Sequence, residues 1–171
     1  TKPLGIGVLS AAFKQERLGK EGYRMLKAWT TRLNSFGAKL VGRPEVHAVT
    51  DVTGFGLLGH ALEMARGAGA TIEIDAEAPA LPGVYELLQA GVRTGASTRN
   101  WASYGHDVGL PDDLEPWRRD LLTDPQTSGG LLIAVPESEL KAFAGFARLS
   151  GEGVQPVGRV VEGPPRGRGG R

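Results

Sequence analysis

The chain has 171 residues, 40% hydrophobic and 23% charged, the size and balance of one ordinary globular domain that needs no metal or disulfide staple. A formal net charge of +1 gives no electrostatic argument for nucleic acid or an anionic membrane as partner, and the lack of cysteine excludes a disulfide framework, thiolate zinc sites and a cysteine nucleophile. No apolar run approaches the roughly 20 residues of a membrane span. The opening TKPLGIGVLS has neither an initiator Met nor the layout of a signal peptide, so the sequence reads as a piece of a longer chain.

In chain order, LGIGVLSAA (4–12) is apolar and interrupted by Gly5 and Gly7, which predicts a first strand with close backbone approaches. Tyr23, Leu26, Trp29, Leu33 and Phe36 recur at spacings of three and four and predict an amphipathic helix from Lys20, closed by Gly37. EVHAVT (45–50) predicts a strand, and 57–66 a helix with Leu58, Leu62 and Ala65 on one face. ATIEIDAE (70–77) alternates as a half-buried strand does. GVYELLQAG (83–91) and DDLEPWRRDLL (112–122) predict short helices. Between them, GVRTGASTRNWASYG (91–105) reads as a long polar loop anchored by Trp101 and Tyr104. A buried strand (129–136), a helix (137–149) and a last strand (153–163) follow, then the Pro/Gly/Arg-rich 164–171, expected to fray. The order predicts an α+β domain over 1–163, with a mixed sheet of about four to five strands and helices mainly on one face.

Two turns carry candidate chemistry. In TDVTGFGLLGH (50–60), Gly54, Gly56 and Gly59 match the G-x-G-x-x-G dinucleotide fingerprint, and Asp75 lies where a ribose-binding carboxylate would sit. Against that match, Asp51 puts a negative charge three residues before Gly54, where a pyrophosphate would have to bind, and Phe55 is bulky. A carboxylate at a strand end before a glycine turn suits a hard cation that neutralises phosphate oxygens. A plain helix cap by Asp51 or Thr53 remains open beside both. The second turn, TDPQTSGGLL (123–132), repeats a Thr-Asp pair followed by Thr127, Ser128 and paired glycines, either an anion-binding nest or a proline-initiated turn. His47, His60 and His106 have no metal-motif spacing and read as structural.

TDVTGFGLLGH, TRNWASYG (98–105) and DPQTSGGLLIAV (124–135), in this order, resemble the C-terminal domain of the selenophosphate synthetase (selenide, water dikinase) family, within the aminoimidazole ribonucleotide synthetase-like superfamily. The opening TKPLGIGVL also resembles the start of that domain. The resemblance implies a cytoplasmic phosphotransferase that turns ATP, water and selenide into selenophosphate, AMP and orthophosphate. It implies Mg²⁺ held in part by Asp51, with Thr50, Thr53, Gly54, Asn100, Thr127, Ser128 and Gly129 facing the nucleotide cleft. It further implies an N-terminal ATP-binding domain as partner, homodimerisation of the complete enzyme, and no catalytic residue in this segment. The family's glycine-rich segment with its Lys and Cys or selenocysteine is absent from the sequence, so the segment alone is expected to be inactive. A sibling ATP enzyme of purine or thiamine metabolism, and a non-catalytic NAD-binding module, are the alternatives.

Overall fold

The first apolar run is a helix, not a strand. In the computed structural model, which describes residues 1–170, α1 spans Ile6–Lys14 and buries Ile6, Val8, Leu9, Ala11 and Ala12. A short apolar run does not by itself separate strand from buried helix, and here a distant cap decides. No side chain of its own N-cap residue serves α1. Instead Gln126 Oε1 accepts the N–H groups of Gly5 and Ile6, both at 3.2 Å, and Asp124 Oδ2 accepts that of Val8 at 3.2 Å. The orphan donors of the first turn are thus satisfied from the far end of the sequence. The absence of a side chain at Gly7 makes room, since a Cβ there would lie 2.3 Å from Asp124 Oδ1.

Helix α2, Lys20–Thr31, stops before Leu33. A 3₁₀ segment, Ser35–Leu40, carries Phe36 into a small second core with Leu40, Phe143 and Ala147. Strand β1 (Ala48–Asp51), helix α3 (Gly56–Ala68), strand β2 (Thr71–Asp75) and helix α4 (Val84–Gln89) fall where the pattern places them. The stretch expected as a long loop contains helix α5, Gly95–Tyr104, whose N-cap Thr94 accepts the Ser97 N–H at 3.1 Å. Its buried residues are Ser97, Asn100 and Tyr104. This inward face is polar, so hydrophobic periodicity does not register it. Strand β3 (Val108–Gly109), helix α6 (Pro116–Leu122), strand β4 (Leu131–Ala134), helix α7 (Leu140–Leu149), strand β5 (Gly158–Val161) and strand β6 (Arg166–Gly170) complete the order.

The four-stranded sheet runs β3-β6-β2-β5, with β2 parallel to β6, antiparallel to β5, and β6 parallel to β3. The mixed α+β architecture matches the expectation, but the segment expected to fray is an inner strand. Glycine makes this possible: a Cβ on Gly169 would lie 2.9 Å from Leu110 Cδ2. Helix α3 packs on β2 and β6, and α5 and α6 pack on α3. Apart from this sheet, β1 and β4 form an antiparallel ribbon, Ala48 opposite Ala134 and Asp51 opposite Leu131. Leu131 and Ile133 of the ribbon pack on the second core.

Candidate functional site

The two motif turns lock together. Residues 52–55 link β1 to α3, and residues 123–130 link α6 to β4. The Gln126 N–H donates to the Thr53 carbonyl at 3.0 Å, and the Val52 N–H to the Gly130 carbonyl at 2.8 Å. A Cβ on Gly129 would sit 1.8 Å from the Val52 carbonyl oxygen, and one on Gly56 (φ 71°) 2.6 Å from the Thr123 carbonyl carbon. Both glycines are required by close backbone approach. From α5, Asn100 Nδ2 donates to the carbonyls of Gly54 at 2.8 Å and Thr123 at 3.0 Å, one on each turn.

The sequence candidates divide by exposure. Asp51 is exposed at the end of β1, and its carboxylate bonds to no protein group among the described residues. Gly54, Thr127 and Ser128 are exposed, and Thr50 and Thr53 half-buried. Ser128 has φ 55°, and Lys2 Nζ bonds to its carbonyl at 2.7 Å and to the Arg32 carbonyl at 2.6 Å, strapping the turn to the end of α2. Asn100 and Gly129 are buried. Asn100 stands behind the turns with both amide hydrogens given to backbone, and Gly129 is a packing contact.

Sequence reasoning missed three side chains here. His60 is buried, its Nε2 3.2 Å from Thr53 Oγ1 and its Nδ1 3.1 Å from Glu63 Oε2, so an imidazole sits between a carboxylate and a hydroxyl of the turn. The spacing His60, Glu63 on one helix face was the available signal. Asp124 and Gln126 serve α1, and no local pattern announces that. Asp124, with 1% exposure, contrasts with Asp51 although both follow a threonine. Burial raises the Asp124 carboxyl to about 7, against the lowering effect of the Val8 N–H, the Gln126 amide and the Gly7 N–H, with nearby Asp120 adding to the rise. Tyr104, buried and donating to the Phe55 carbonyl at 2.6 Å, is likewise held above its ordinary value by burial.

Among the described residues no group of three or more His, Asp or Glu side chains could hold a metal ion. The donor set nonetheless fits part of a Mg²⁺ site: Mg²⁺ keeps waters and takes one or two carboxylates plus substrate phosphates, and Asp51 offers one free carboxylate. The dinucleotide reading does not fit. That fingerprint needs the strand before the glycines to lie parallel beside the strand that ends in the ribose carboxylate. Here β1 pairs antiparallel with β4, and β2 belongs to the other sheet. Asp75 instead accepts the Glu77 N–H at 2.8 Å.

Residues 1–168 match the AIR synthase related protein, C-terminal domain. The chain belongs to that family. It is 54% identical over 167 residues to selenide, water dikinase of Burkholderia pseudomallei (strain K96243), covering 96% of this chain and 47% of that protein. It is 51% identical over 172 residues to selenide, water dikinase of Pseudomonas straminea, again covering 96% and 47%. The chain therefore spans about half the length of these relatives. Among solved structures, thiamine-monophosphate kinase from Stenotrophomonas maltophilia K279a superposes with a TM-score of 0.64 at 17% identity, over 97% of this chain and 47% of that one. Thiamine monophosphate kinase from Aquifex aeolicus gives 0.55 at 17%, over 98% and 47%. These two likenesses establish the fold alone. Among the described residues no helix is long and apolar enough to cross a membrane.

Proposed function

We propose that this chain is the C-terminal half of a selenide, water dikinase, in which it supplies part of the Mg²⁺-ATP phosphate site. The observation that carries the reading is Asp51: an exposed carboxylate without a protein partner among the described residues, at a strand end beside a glycine turn. The 54% identity to a relative of that name supports the choice of reaction. In this reading Asp51 holds Mg²⁺ together with groups of the missing half. The metal, when bound, neutralises charge on the phosphate oxygens. The Thr50 and Thr53 hydroxyls, the Gly54 backbone, Thr127 and Ser128 line the phosphate side. His60 orients the Thr53 hydroxyl, and Asn100 and Gly129 keep the two turns in register without touching nucleotide.

The substrates are ATP, water and selenide, and the products selenophosphate, AMP and orthophosphate. The partner is an N-terminal domain of the same polypeptide, the complete enzyme is a homodimer, and its place is the cytoplasm. This chain supplies no catalytic nucleophile, and alone it is inactive. The test follows AMP formation by the complete polypeptide with and without selenide. Dependence on selenide upholds the reading. AMP formation indifferent to selenide overturns it, and phosphoryl transfer to thiamine monophosphate or turnover of a purine precursor would move the protein to a sibling enzyme.

A further inference from the structure

We propose that His60, backed by Glu63, takes up through the Thr53 hydroxyl the proton that water releases when it attacks a phosphoryl group at the glycine turn. The inference rests on the reading above in one respect, that ATP is consumed together with water. It gives His60 and Glu63 a part that merely orienting a hydroxyl does not require.

Of the three histidines, His47 and His106 are exposed, and His60 is buried at 7% exposure. His60 and Glu63 are three residues apart on α3 and so share a face. The ring reaches both ways from there. Its Nε2 lies 3.2 Å from Oγ1 of Thr53, a half-buried residue of the turn. Its Nδ1 lies 3.1 Å from Oε2 of Glu63, whose side chain is 54% exposed. The three groups form one line from the turn, through a buried ring, to a carboxylate at the surface. Phe55 flanks the imidazole, with ring centroids 5.9 Å apart, and Tyr104 holds the Phe55 carbonyl at 2.6 Å. Gly59 makes room for that arrangement, since a Cβ there would lie 2.5 Å from Phe55 Cβ.

The partners of the ring set the direction of transfer. An ionised carboxylate only accepts, so Glu63 selects the tautomer with its proton on Nδ1. Nε2 is then the acceptor and takes the Thr53 O–H, which leaves the lone pairs of that oxygen for the site. The approach of Nδ1 to Glu63 is short but falls outside hydrogen-bond geometry, so Nδ1 is a buried donor without a hydrogen-bond partner among the described residues. A ring that only packed or only oriented a hydroxyl would carry that cost for nothing. A ring that becomes an imidazolium gains from it, because the contact with Glu63 then becomes an ion pair.

The step balances. The water oxygen forms a bond to phosphorus, the bridging P–O bond breaks, and its electron pair leaves with the departing phosphate oxygen. One proton of the water stays on the orthophosphate. The other goes to Thr53 Oγ1 as the hydroxyl passes its own proton to His60 Nε2. The imidazolium stays paired with Glu63 until product leaves, and then returns its Nε2 proton by the same path to solvent.

The test uses the complete polypeptide. In His60→Gln the amide can still bond the Thr53 hydroxyl but cannot hold a proton, so kcat should fall about a hundredfold while KM stays within about threefold. Glu63→Gln, a change at the surface, should lower kcat about tenfold. In mixtures of light and heavy water, single-turnover AMP formation by the parent should slow by about twofold or more, along the curved dependence of two protons in flight. Nitrogen NMR of the resting parent should find the His60 proton on Nδ1. A folded His60→Gln within about threefold of the parent overturns the proposal, because orientation alone would then suffice. So does a resting proton on Nε2, or a solvent effect no different in the parent and Glu63→Gln. If His60→Gln fails to fold, Glu63→Gln decides, and a parental rate there overturns the proposal. Failure of the assigned reaction shows elsewhere, as parental AMP formation indifferent to selenide, and leaves the nitrogen spectrum and the solvent comparison valid.

Discussion

The Gln126 N–H donates to the Thr53 carbonyl at 3.0 Å, joining two turns that lie more than 70 residues apart in sequence. The Gln126 side chain meanwhile accepts from Gly5 and Ile6 and donates to the Asp124 carbonyl at 2.8 Å and carboxylate at 3.0 Å. One residue thereby ties the glycine turn, its neighbour and the start of α1.

Gln126→Ala should therefore destabilise the fold by about 2–4 kcal/mol, because it removes several buried hydrogen bonds and strips the cap from α1. The denaturant midpoint of the complete polypeptide measures it. An unchanged midpoint would mean that water replaces the amide without cost.

Asp51→Asn tests the opposite kind of residue. Its carboxylate supports no protein contact among the described residues, so thermal stability should stay within about 0.5 kcal/mol of the parent. Selenide-dependent AMP formation should fall about a hundredfold or more if this carboxylate holds the metal. Near-parental turnover would return Asp51 to the role of a surface residue.

Much of this architecture is legible in the sequence where burial is apolar. The alternation in 70–77 and the Leu58, Leu62, Ala65 stripe gave β2 and α3 within a residue or two. The misread segments share a cause: their conformation is decided by partners far away. Residues 4–12 look like a strand until Asp124 and Gln126 cap them. Helix α5 turns Ser97 and Asn100 inward to meet Thr123 and Gly54. The glycines of β6 look like disorder until Val108 and Leu110 are seen beside them. At the candidate site, charge logic singled out Asp51 as a candidate, and the structure leaves it exposed, whereas the division of its neighbours into exposed groups and supports needed three dimensions.

Asp124 makes stability depend on pH. Its carboxyl is raised from an ordinary 3.8 to about 7 in the fold, so between those values the native state binds the proton more tightly than the unfolded chain. The contribution is fully present below about 3.8 and is lost as pH rises to about 7, with no further change above. Asp124→Asn keeps an acceptor for the Val8 N–H and should flatten that part of the profile. A slope between pH 4 and 7 equal in parent and variant would assign it to other groups.

Thr53→Val keeps shape but removes the hydroxyl that faces His60 Nε2 at 3.2 Å. It should lower turnover of the complete enzyme about tenfold or more, while Thr53→Ser should stay within about threefold. Equal loss in both variants would point to the packing of the methyl group instead.

Among the described residues β6 is the last strand in chain order, yet it lies between β3 and β2. As the polypeptide leaves the ribosome, β2 can meet β5 before β6 exists on its other side. The sheet cannot close until residues 166–170 emerge and insert, which leaves its most non-local pairing to form after the others. A product that stops just before residue 166 would keep nearly all the core residues and still expose the bare edges of β2 and β3, a sticky surface of the kind that quality control and aggregation both read.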